Sequence, residues 1–168
     1  MCPGDARGRR AMSRSGVADA CPLPSSRGVY AICFVLDRPV AVLSRGGRVV
    51  AEVGPGRVLY VGSAGGPGGI RARVGRHLAR EKGKRWWHVD WLTSESAGTV
   101  FVYYREGAYG PAAEDGLASE LLASGLARPV GMVGATDSSL PHTFYCLDPE
   151  GVARLLESRG GALVRCGP

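Results

Sequence analysis

The chain reads as an α/β (α+β) protein with a small central mixed or antiparallel β-sheet flanked by helices. Two observations predict this. Short apolar runs rich in Val, Ile, Tyr and Phe come first and again in the middle, each bounded by Gly, Pro, Asp or Ser. Between and after them lie segments whose apolar residues recur at helical spacing. At 168 residues, 45% of them hydrophobic, one domain can bury a core without staples.

Residues 1–26 are rich in Pro, Ser, Gly and Arg without periodicity and read as a disordered leader. They hold no apolar core of a secretory signal. "GVYAICFVLD" (28–37) is the first strand, apolar enough to be central. "PVAVLS" and "RVVAEV" around Arg45-Gly46-Gly47 form a hairpin. "RVLYVGS" (57–63) is a strand, and helical periodicity runs from Gly69 to about Lys82. "WWHVDWLTS" is a shorter helix, and "TVFVYYRE" (99–106) a strand. "PAAEDGLASELLASG" is a helix opened by Pro and closed by Gly. "PVGMVGATD" and "HTFYCLD" are short strands or extended loops, "PEGVARLLESR" is a closing helix, and 161–168 is a flexible tail. Residues 27–160 make the folded domain, its sheet built on three central strands.

No apolar run approaches the roughly 20 residues that span a bilayer, so no membrane partner is expected. The five cysteines are scattered without a CxxC pair and read as reduced thiols of a cytoplasmic protein. The net charge of +6 favours an anionic partner. Seven of the 21 Lys and Arg (Arg71, Arg73, Arg76, Arg80, Lys82, Lys84 and Arg85) are crowded behind one glycine-rich loop, which makes a local patch.

That loop, in "RVLYVGSAGGPGGIRARVGRHL" (57–78), invites a phosphate. It carries neither the Lys-Ser/Thr of a P-loop nor the glycine spacing of a dinucleotide site. On the following helix Ile70, Val74 and Leu78 form the buried stripe, His77 borders it, and Arg73, Arg76 and Arg80 share one shoulder. A solvated basic face and a satisfied core histidine would read the same way. In the Pro111–Gly125 helix, Glu114 shares the face of Leu117 and Leu121, and Asp115 points away. A carboxylate aimed at a core needs a partner or a metal, unless it stays wet in the first turn. Tyr30 and Tyr60 face one pocket if their strands pair; plain aromatic packing is the ordinary alternative. His88 and Asp90 read as a packed motif or a catalytic pair, and Asp137 and His142 as second-tier candidates. A zinc site from His77, His88 and His142 lacks the short spacing zinc prefers.

"GVY" followed some thirty residues later by "YVG" resembles the signature of the GIY-YIG nuclease superfamily. Arg73 and His77 match its Arg-x-x-x-Tyr/His helix motif, and Glu114 its metal-binding glutamate. The run "YVGSA", "RARVGRHL", "KRWWHVDWL", Glu114-Asp115-Gly116-Leu117-Ala118 and "VGATDSSLPHTFY" is similar to a branch found alone or fused to endonuclease III-like glycosylases. The likeness covers about residues 28–147. Cysteines frequent in that branch are replaced by Asp115 and Ser138. The final asparagine of better-known superfamily members has no counterpart.

The resemblance implies metal-dependent hydrolysis of a phosphodiester, DNA first among substrates: Mg²⁺ (or Mn²⁺) on Glu114, water positioned by Tyr30, assistance from Tyr60 and His77, and charge neutralised by Arg73. Gly62, Ser63, Arg71, Arg76, Arg80, Lys84 and His88 would contact the nucleic acid, and a DNA-repair partner is implied. The alternative is a non-catalytic nucleic-acid-binding module with the same fold.

Overall fold

The computed structural model describes residues 21–85, 87–131 and 138–166. Four strands come first: β1 (Gly28–Leu36), β2 (Val40–Leu43), β3 (Val49–Val53) and β4 (Gly56–Ala64). Helices α1 (Gly69–Leu78) and α2 (His88–Ser94) lead to β5 (Gly98–Glu106) and α3 (Pro111–Ser124). Short strands β6 (Ala127–Pro129) and β7 (Thr143–Cys146), helix α4 (Pro149–Ser158) and strand β8 (Ala162–Val164) complete the order.

The α+β class holds, with a larger sheet than the three strands expected. Six strands pair antiparallel in the order β6-β7-β4-β1-β5-β8, and β2-β3 forms a separate hairpin. Strand β1 lies between β4 and β5, which is why nearly its whole length is apolar and buried. Alternation then divides the core. Tyr30, Ile32, Phe34, Val58 and Tyr60 face α1, α2 and the hairpin. Val29, Ala31, Cys33, Leu59 and Val61 face α3 and α4.

Three boundaries differ from the sequence reading. Helix α1 ends at Leu78, because Ala79 turns extended, instead of running to Lys82. Residues 21–26, assigned to the leader, are packed: Cys21 and Leu23 are buried, and the carbonyls of Ser26 and Pro24 accept the N–H groups of Ile70 and Arg71 at 2.9 Å. Residues 162–164, assigned to the tail, pair with β5. A disulfide between Cys21 and Cys166 joins these two segments, so those thiols are not reduced. Cys33 and Cys146 are free and buried. Among the described residues no helix is long and apolar enough to cross a membrane.

Candidate functional site

Pairing of β1 with β4 sets Tyr30 opposite Gly62 and Ile32 opposite Tyr60, so the two tyrosines lie diagonally on one face. Their ring centroids are 6.3 Å apart. Gly62 is needed here for space: a Cβ on it would lie 2.5 Å from the Tyr30 hydroxyl. The missing side chain leaves the space that seats the Tyr30 phenol. Helix α1 brings His77 over both rings, 6.0 Å from Tyr30 and 5.7 Å from Tyr60 between centroids.

His77 is fully buried. Its Nε2 lies 2.9 Å from Tyr30 Oη, and its Nδ1 lies 3.1 Å from Asp90 Oδ1. Asp90 is the third residue of α2, where an acid reaches back to the helix start. Its Oδ2 accepts the Trp87 N–H at 3.2 Å and has Arg76 Nη2 at 3.5 Å. One carboxylate thus caps α2 and fixes the histidine of α1.

Burial pushes the Tyr30 and Tyr60 phenols well above their ordinary range. For Tyr60 the Glu114 charge adds to this; for Tyr30 the neighbouring Tyr60 adds first, then Glu114 and Asp90. The Arg73 charge opposes both shifts. Burial also pushes His77 below 6.5, with Arg73 and Lys82 adding to the effect and Asp90 countering it. Burial alone would raise Asp90, but its bonds to His77 and Trp87 hold it below 3.8. Neutral phenols and a neutral imidazole therefore sit beside an ionised carboxylate at pH 7.

Arg73 stacks on the Trp87 ring with its guanidinium 4.6 Å from the centroid. Arg76 turns the same way, 4.9 Å from that ring, and Nη2 donates to the Lys84 carbonyl at 2.8 Å. Arg80 donates to the Ser96 carbonyl. Arg71, Arg80 and Lys84 are exposed, and His88 is half-buried at the first residue of α2.

Glu114 lies in the first turn of α3, whose leucines pack on the other sheet face. Its carboxylate does not enter that core; it turns to the end of β4, where Ser63 Oγ donates to Oε1 at 2.7 Å. Ser63 Oγ also accepts the Gly110 N–H, which ties β4 to the start of α3. Buried His142 has Nδ1 3.6 Å from Glu114 Oε2 and Nε2 2.9 Å from Asp115 Oδ1. Asp115, read as pointing away, is thereby engaged, and Ser138 donates to the same oxygen. The two positions that depart from the resembled motifs, Asp115 and Ser138, thus touch each other. Helical phase within one segment could not show this, because both partners come from a distant loop. Asp137 lies outside the described residues.

The donor set can be tested against a divalent cation. Glu114 keeps Oε2 without a partner at hydrogen-bonding distance among the described residues, and its side chain is 24% exposed. No cluster of three or more His, Cys, Asp or Glu suited to a metal occurs among the described residues. A hard cation held by one carboxylate, with water and substrate oxygens completing its shell, fits such a site; an all-protein cage does not.

Residues 29–163 match the family described as Domain of unknown function DUF123. The chain belongs to this family. No curated protein and no solved structure matches it. In this DUF123 member the residues that build the site, from Tyr30 to His142, all lie inside the matched span.

Proposed function

We propose that the protein is a GIY-YIG-type phosphodiesterase that cleaves DNA with the help of Mg²⁺ or Mn²⁺. The observation that carries this reading is the convergence of Tyr30, Tyr60 and His77 beside Arg73, with the Glu114 charge felt by both phenols. A cation on Glu114 would supply Lewis acidity toward a phosphate oxygen. The chain's own residues do the rest. Ser63 holds the Glu114 carboxylate, and Arg73 stabilises charge that grows on the phosphate. Tyr30 and Tyr60 orient the attacking water. Exposed Arg71, Arg80, Lys84 and Arg85 bind the backbone without reading bases.

The N-terminus of α1 is not part of this phosphate site. Its first free amides are already taken by the carbonyls of Pro24 and Ser26. Phosphate recognition therefore falls to side chains, and affinity should depend steeply on salt.

One observation favours the second reading, a non-catalytic nucleic-acid-binding module of the same fold. Tyr30 is only 1% exposed, as a packing residue would be. Glu114→Gln separates the two, because it keeps volume and removes charge. For an enzyme, metal-dependent cleavage should fall by roughly 100-fold or more while DNA affinity holds. If purified wild-type protein cleaves no branched, damaged or single-stranded substrate, the binding-module reading replaces the enzyme.

A further inference from the structure

Resting on the phosphodiesterase reading, we propose that Asp90 is a positioning residue: it fixes the His77 tautomer so that Nε2 takes the Tyr30 proton as Tyr30 takes one from water. The geometry leaves little freedom. An ionised carboxylate only accepts, so the 3.1 Å contact from Asp90 Oδ1 requires His77 Nδ1 to carry the hydrogen. In a neutral ring Nε2 then holds a lone pair, and Tyr30 Oη donates to it across 2.9 Å. Asp90 cannot swing aside easily, since its other oxygen is held by the Trp87 N–H.

This arrangement answers a difficulty at Tyr30. A phenolate there is disfavoured, because burial raises the phenol well above its ordinary range. Tyr30 need not rest as an anion if its proton has a place to go. Water gives a proton to Tyr30 Oη while the Oη–H proton passes to His77 Nε2. The water oxygen forms its bond to phosphorus, the bond from phosphorus to the leaving oxygen breaks, and that oxygen takes a proton from solvent. His77 becomes an imidazolium that Asp90 stabilises, and its proton returns through Tyr30 to solvent. The groups whose charges reach His77 are Asp90 of α2, Arg73 of its own helix and Lys82 beyond it, with the Tyr30 and Tyr60 phenols against the ring.

The side-chain ¹⁵N resonances of His77 test this without reference to cleavage. Wild-type protein at pH 7 should show a neutral ring protonated at Nδ1. Asp90→Asn, which can offer an N–H to Nδ1, should move the hydrogen to Nε2. Tyr30→Phe provides a variant that leaves Asp90 intact: it should keep Nδ1–H and shift only the Nε2 resonance, so the test survives if Asp90→Asn fails to fold. A wild-type ring protonated at Nε2 would overturn the proposal. In cleavage, Asp90→Asn should lower kcat on the order of 100-fold with KM little changed. Unchanged kcat in a folded Asp90→Asn protein would also overturn it. If wild-type protein cleaves nothing, the phosphodiesterase reading fails, while the nitrogen shifts still decide the tautomer.

Discussion

A methyl group at position 62 would stand 2.5 Å from the Tyr30 hydroxyl and 2.6 Å from its Cζ. The phenol cannot retreat cheaply, since its ring is buried and its hydroxyl is bonded to His77, and Gly62 is held in a paired central strand. Gly62→Ala should therefore cost about 1–3 kcal/mol, the usual scale of overpacking, read as a lower thermal midpoint. It should also pull the phenol off His77. The histidine carries a pH dependence of its own. Its folded pKa lies below 6.5, so the unfolded chain binds a proton first as pH falls. Stability should decline as pH drops through 6.5 toward the folded value. Asp90, held below 3.8, adds a second loss at lower pH as it is protonated. Urea midpoints at pH 7.5 and 5.5 should differ less in His77→Gln than in wild type. An equal difference in both would place the titrating group elsewhere.

Among the elements, α1 depends on a segment that precedes the sheet. Gly69 has φ +57°, and a Cβ there would meet the carbonyl oxygens of Ser25 and Ser26 at 2.2 Å. Gly69→Ala should release residues 21–26 and destabilise by roughly 1–3 kcal/mol. Faster hydrogen exchange at the Ile70 and Arg71 amides would report that release; unchanged exchange would show the cap does not depend on the glycine. What the sequence made legible follows from periodicity. The apolar run of β1, the hairpin around Arg45-Gly46-Gly47 and the Pro-to-Gly span of α3 all carry local signals. Helix phase put His77 at the border of the core, but Tyr30 and Tyr60 shared a face only on the condition that β1 and β4 pair. It was the resemblance that grouped the three, because the register of that pairing leaves no local signal. The cap on α1 and strand β8 were not legible, because backbone carbonyls order the first and three residues are too few to show a period in the second. Asp115 was missed because its partners, Ser138 and His142, arrive from a loop that helix phase knows nothing about.

Over the whole molecule, the packed stretch before β1 and the strand after α4 are held together by the Cys21–Cys166 bond, which spans 145 residues of sequence. A cross-link that closes so long a loop restricts the unfolded chain strongly, and its loss should cost about 2–5 kcal/mol. The effect on the site would be indirect: freeing residues 21–26 uncovers the start of α1, the helix that carries Arg73 and His77. Cys21→Ser should thus lower the urea midpoint and loosen the Ile70 and Arg71 amides together. Thiol counting checks the bond itself. Denatured without reductant, the chain should offer three reactive thiols, its five cysteines less the two that are bonded, and all five after reduction. Five thiols before reduction would return Cys21 and Cys166 to the reduced state, and the anchoring of the α1 cap would then rest on its backbone hydrogen bonds and the burial of Leu23 alone.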